Sequence, residues 1–183
     1  SGRQRRHGRD HVDDRVAHYG VSTGFGALAV RYVPEGRRAD LQRHLVRSHA
    51  AGSGPDIERE VVRAMMLLRL ATMATGRTGV RLETAQAYQA LLNSGCTPVV
   101  PEYGSLGSSG DLAPLAHCAL VLLGEGEVYD TNGVRRPAAE VLGELGLSPL
   151  ALKEKEGLAL VNGTDGMLGM LVLACHDLRQ LIR

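Results

Sequence analysis

The chain has 183 residues, with 21 Lys and Arg against 20 Asp and Glu and a formal charge of +1. That length suffices for one domain with its own core. The even balance excludes a charge-driven nucleic-acid or acidic-lipid surface. Cys96, Cys118 and Cys175 are odd in number and share no metal-ligand spacing, so they are expected as reduced, buried thiols of a cytoplasmic protein without a bound metal.

Basic residues crowd positions 1–11 ("SGRQRRHGRDH"), which reads as a disordered terminus ahead of one region from 12 to 183. No run of about 18 apolar residues stands in the chain, and the start lacks a signal-peptide core. Asp40 to Ala51 has helical apolar spacing and a stop at Gly52. The next helix is expected to open around Pro55 and close at Gly76, buried all round in its second half. "LETAQAYQALLNSG" predicts a helix ending at Gly95, and "CTPVVPEYG" an extended connection around Pro98 and Pro101. Asp111 stands as the N-terminal acid of a helix over "LAPLAHCALVLLGEG". "VYDTNGVRRP" predicts a hairpin with a type I′ turn at Asn132-Gly133. "AAEVLGELG" reads as a short helix, "LKEKEGLALVNGTDG" as mostly loop, and "MLGMLVLACHDLRQLIR" as an apolar helix to the last residue. With no Trp and one Phe, the core must come from Leu, Val, Ala and Met. The fold class is mainly α, a helical bundle-type region with a short hairpin and glycine-rich loops.

The glycine-rich "GSLGSSGDLAPLAH", Gly104 to His117, fits neither common phosphate motif. A GxxxxGK[ST] loop needs a lysine that is absent, and glycines spaced by three throughout do not make GxGxxG. "GVSTG" around Ser22 matches a hydrolase elbow, but no clear strand precedes it.

Four segments occur in order: "YGVSTGFG" (Tyr19–Gly26), "LVRSHAAG" (Leu45–Gly52), "GSLGSSGDLAPLAH" and "KEGLALVNGTDG" (Lys155–Gly166). Together with "GRTGVR" and "LVLLGEGE" they resemble the amino-terminal half of the histidine and aromatic amino acid ammonia-lyases. The resemblance implies the fold of that region and a covalent electrophile. An internal X-Ser-Gly tripeptide cyclises and dehydrates to a methylidene-imidazolone (MIO, 4-methylidene-imidazol-5-one), with no external cofactor. Here the matching residues are Ser108, Ser109 and Gly110. The Gly110 nitrogen adds to the Ser108 carbonyl carbon with loss of one water, and Ser109 loses its hydroxyl as a second. A glycine nitrogen suits this approach because no Cβ obstructs it. Serine stands at 108 where the family usually has alanine, but its side chain lies outside the ring atoms.

The remaining roles follow from the same resemblance. Tyr19 matches the base that removes the substrate β-proton. An ordinary phenol is protonated at neutral pH, so such a base needs hydrogen bonds or positive charge nearby. Ser48-His49 matches a selectivity pair that is Ser-His in histidine-specific members, His-Leu in tyrosine-specific ones and Phe-Leu in phenylalanine-specific ones. A histidine can pair with an imidazole substrate, whereas an apolar pair would leave its nitrogens unsatisfied at about 1–3 kcal/mol. Asn162 matches the asparagine that contacts the amino acid head group, and Asp165 stands where many members have glutamine. The implied reaction is L-histidine to trans-urocanate and ammonia. A tyrosine or phenylalanine lyase or aminomutase is the alternative, as is a truncated, non-catalytic chain. The expected partners are a small amino acid and other subunits of a homotetramer, or a complementing carboxy-terminal chain. Full-length members carry further active-site residues past position 183.

Overall fold

A computed structural model describes residues 16–183; the terminus expected over 1–11 lies outside them. Seven α-helices are present among the described residues: α1 (Glu35–His49), α2 (Arg59–Ala74), α3 (Leu82–Asn93), α4 (Leu112–Leu122), α5 (Ala138–Glu144), α6 (Glu156–Val161) and α7 (Asp165–Leu181). Five short strands join them: β1 (Ser53–Asp56), β2 (Thr97–Pro98), β3 (Pro101–Tyr103), β4 (Glu127–Tyr129) and β5 (Arg135–Pro137). The mainly α expectation holds.

The core is aliphatic, as the scarcity of aromatics requires. α2 turns Val61, Val62, Met65, Met66 and Met73 inward, and α4 buries Leu115, Ala116, Cys118, Ala119, Val121 and Leu122. α4 sits centrally, packed against α1 on one side and α6 on another, while α7 lies along α2. Such burial is worth roughly 1.5–3 kcal/mol per large aliphatic side chain. The outer side of α7 is bare: Leu168, Leu171, Val172, Leu178, Leu181 and Ile182 are exposed. β1 pairs antiparallel with β3, Ser53 opposite Tyr103 and Asp56 opposite Pro101. β2, β4 and β5 form a second small antiparallel sheet.

Several local expectations change. Pro55 is in β1 rather than in a first helical turn, because residues 53–56 pair with β3 and the helix starts only at Arg59. The second half of α2 is not buried all round, since Leu67 is exposed. The β4–β5 hairpin exists, but its turn is not type I′. Gly133 alone is left-handed, at φ 78°, and its N–H donates to Asp130 O at 3.0 Å. That is a type I turn followed by a glycine bulge. Six residues of the supposed loop 152–166 form α6, which buries Glu156, Gly157, Ala159, Leu160 and Val161. Cys175 is exposed, unlike Cys96 and Cys118. Ser22 is buried in a turn and accepts from the His18 N–H at 2.8 Å, with no strand before it, so it is no elbow. By length and mean hydropathy (1.6) the stretch 156–181 could cross a membrane. It is broken between α6 and α7, however, and its break carries a buried ion pair.

Candidate functional site

The glycine-rich loop closes into a tight knot ahead of α4. Gly107 has φ 67° and Ser108 φ 46°. A serine there costs roughly 1–3 kcal/mol, which its surroundings must hold. The Gly110 N–H points back into the loop, 2.9 Å from Gly107 O and only 2.7 Å from Ser108 O. The Leu106 N–H donates to Gly110 O at 3.0 Å and closes the knot. A Cβ on Gly110 would fall 2.6 Å from Gly107 O and 2.8 Å from Leu106 Cβ, so only glycine fits. Ser108 and Ser109 are exposed.

Asp111 holds this knot from behind. It is fully buried, yet it does not cap its own helix. Its carboxylate accepts from Ser105 Oγ at 2.5 Å and from the Met167 N–H at 2.9 Å. It therefore satisfies a free N–H in the first turn of α7, where the helix dipole favours negative charge. Ser105 Oγ in turn accepts from the Gly107 N–H at 3.2 Å. The expectation of an N-terminal acid holds by position, but the helix it serves is α7.

The other expected residues lie on separate elements: the turn at 18–26, the end of α1 and the end of α6. Tyr19 is 54% exposed; its ring meets Phe25 edge-on at 5.9 Å, and its hydroxyl oxygen accepts from the Gly26 N–H at 3.0 Å. The next carbonyl, Gly20 O, accepts from Gln42 Nε2 at 3.0 Å, while Gln42 Oε1 accepts from the Leu158 N–H at 3.2 Å. Buried Gln42 thus ties the Tyr19 turn to α6 across α1. Asn162 ends α6 and is exposed. His49 closes α1, with Nδ1 2.9 Å from Leu45 O and 3.0 Å from Ser48 Oγ. A carbonyl can only accept, so Nδ1 carries the proton and Nε2 is left as an acceptor in the neutral ring. The β1–β3 pairing sets the segment after His49 beside the start of the glycine-rich loop. Among the described residues no hydrogen bond joins Tyr19, His49, Asn162 and Ser108–Gly110 to one another.

Asp165 does not face outward from the turn. Its carboxylate accepts from Arg69 Nη2 in a buried ion pair, the two side chains being 7% and 3% exposed. Arg69 Nη1 also donates to Ala159 O at 3.1 Å, so one guanidinium clamps both sides of the α6–α7 break. A Cβ on Gly163 would collide with Arg69 Nη2. Asp165 therefore holds the turn that presents Asn162 rather than reaching for a ligand.

Glu156 is a second buried anion, accepting from Arg81 Nε at 3.0 Å, Arg81 Nη2 at 2.8 Å, Thr84 Oγ1 at 2.6 Å and the Lys153 N–H at 2.8 Å. Burial alone would raise its titration, but these donors outweigh burial and hold it below the usual carboxylate range. Gln42, Arg69 and Glu156 were missed in the sequence. The available signal was a polar residue inside an apolar stripe: Arg69 falls in line with Val62, Met66 and Met73 at helical spacing.

Comparison with known proteins identifies the family and the fold. The family model "Aromatic amino acid lyase" matches residues 2–183. Histidine ammonia-lyase of Streptomyces griseus is 66% identical over 163 residues, covering 89% of this chain and 32% of that protein. Tyrosine 2,3-aminomutase of Myxococcus fulvus is 52% identical over 165 residues, covering 90% of this chain and 31% of that protein. The solved structure of phenylalanine aminomutase from Pantoea agglomerans superposes with a TM-score of 0.91 at 34% identity, covering 98% of this chain and 34% of that one. The expected match to an amino-terminal half thus narrows, since the chain spans about a third of the curated relatives' length. With the family model matched almost end to end and the same backbone path found in a solved relative, the chain belongs to the aromatic amino acid lyase family.

Proposed function

We propose that this chain is the electrophile-bearing part of a histidine ammonia-lyase that converts L-histidine to trans-urocanate and ammonia, with Ser108, Ser109 and Gly110 forming MIO. The observation that carries the proposal is the knot at 107–110. The Gly110 nitrogen already lies 2.7 Å from the carbonyl oxygen of Ser108, in a turn that rejects any side chain at 110. This closeness of the Gly110 nitrogen to the Ser108 carbonyl group, whose carbon it would join, supports a ring formed from these three residues. Bound in the protein, the ring supplies the strong electrophile that ordinary side chains lack.

The chain's own residues then divide the work. Tyr19, steadied by the Gly26 N–H, takes the β-proton. His49 Nε2 accepts from the substrate's imidazole N–H, because its Nδ1 proton is committed to Leu45 O. Asn162 meets the amino acid head group from the turn clamped by Arg69. The 66% identity to a histidine ammonia-lyase supports histidine as substrate. The 52% identity to a tyrosine 2,3-aminomutase favours a second reading, an aminomutase acting on an aromatic amino acid. We take the assembly to be a homotetramer in which other segments cover the bare face of α7, in the cytoplasm, where Cys96, Cys118 and Cys175 stay unpaired.

Intact mass and product analysis test this together. Ring formation removes two waters, about 36 Da, and L-histidine should yield ultraviolet-absorbing urocanate. A β-amino acid from tyrosine or phenylalanine, with histidine untouched, selects the second reading. An unmodified mass with no turnover marks a non-catalytic chain.

A further inference from the structure

One long-range hydrogen bond joins the segment after α1 to α4, the helix that follows the glycine-rich loop. The Gly52 N–H donates to His117 Nε2 at 3.1 Å across 65 residues of sequence. Gly52 follows closely on His49, and His117 sits in the middle of α4, the helix that follows the loop in sequence. There is no slack at this junction. A Cβ on Gly52 would lie 3.1 Å from His117 Nε2 and 3.2 Å from Pro101 Cβ. A Cβ on Gly104 would lie 3.0 Å from Ala113 Cβ and 3.4 Å from Gly52 Cα. The end of α1, the strand β3 and the first turns of α4 therefore meet at one packed point.

We infer that His117 is a positioning residue: by accepting from the Gly52 N–H it fixes the backbone that follows His49 and holds the selectivity histidine in register with Ser108–Gly110. The inference rests on the lyase reading. To accept, the His117 ring must be neutral with its proton on Nδ1. Burial pushes its titration down from the ordinary histidine range, which favours that state. The charged and titratable groups nearest this junction along the chain are Arg47 and His49 at the end of α1, Asp56 on β1, Glu102 and Tyr103 on β3, Asp111 ahead of α4 and Cys118 on it. None of them is a cause of the His117 shift.

The test is kinetic and structural, made in the whole enzyme. His117→Leu strands the Gly52 N–H, and the KM for L-histidine should rise about tenfold, with kcat within about twofold and the loss of about 36 Da retained. His117→Gln offers a carboxamide oxygen in place of Nε2 and should recover KM to within about threefold. In the unaltered protein, the hydrogen-exchange protection factor of the Gly52 amide should fall as acid protonates His117. An unchanged KM in His117→Leu, equal losses in both variants, or a Gly52 protection factor indifferent to pH would each overturn the inference. If the unaltered enzyme makes no urocanate, the lyase reading fails instead. Exchange at Gly52 then still decides whether His117 holds that backbone.

Discussion

Replacing Asp165 with alanine strands a buried cation. Arg69 is only 3% exposed and would lose the carboxylate at Nη2. Its Nη1 would keep Ala159 O, while its Nε, already without a hydrogen-bond partner, could not compensate. Leaving one charge of a buried pair uncompensated costs about 3–5 kcal/mol. Set against a typical domain stability of about 5–15 kcal/mol, that is a large share. Removing both charges is different, because the desolvation cost disappears along with the attraction. The double variant Arg69→Met with Asp165→Leu should fall within about 1–2 kcal/mol of the unaltered protein. Urea denaturation followed by circular dichroism measures all three proteins, with the slope checked for constancy. The reasoning is refuted if Asp165→Ala costs less than about 1 kcal/mol, or if the double variant is no better than the single one.

Three further outcomes follow from the same structure. Glu156→Gln should destabilise by about 2–3 kcal/mol at neutral pH, since it removes charged acceptors from Arg81 and Thr84. Because the Glu156 titration is held low, its contribution is present above the usual carboxylate range and fades as pH falls through its folded value. The two proteins should therefore converge in acid denaturation curves; a constant gap from neutral to acid pH contradicts the assignment. Gly110→Ala forces a Cβ to within 2.6 Å of Gly107 O, so the variant's intact mass should keep both waters; a loss of about 36 Da would show that the ring forms regardless. In the folded 183-residue chain by itself, with the bare face of α7 uncovered, iodoacetamide should label exposed Cys175 and spare Cys118, whose thiol burial pushes up to about 12. Fast labelling of Cys118 would contradict its burial.

The periodic parts of the fold were legible because periodicity is local. The spacing over 82–95 predicts α3, which ends at Asn93 just before the glycine at 95, and the apolar run after Asp111 predicts α4. Pro55 misled because its preference for a first helical turn was overridden by pairing with residues 101–103, almost fifty positions away. α6 was hidden because its six residues are too few to display a period and its charged end is buried by Arg81. Within the site, the glycine-rich knot was legible as a backbone with a special shape. What holds it was not: the Asp111–Met167, Gln42–Leu158 and Gly52–His117 bonds each join distant segments. Asp165 is the sharpest case. By position it belongs to the binding motif, yet only the fold reveals that its partner is Arg69.

The bond from Asp111 to the Met167 N–H spans 56 residues, so the shape of the loop depends on sequence far from it. Bringing ends that far apart together carries a loop-closure cost of roughly 3–4 kcal/mol from chain length alone. A short peptide copied from the glycine-rich segment lacks the helix that supplies this N–H, so it has no reason to hold the bend. Nor has a nascent chain that has not yet emerged past Met167. The shape of three adjacent residues thus depends on a helix start encoded far downstream.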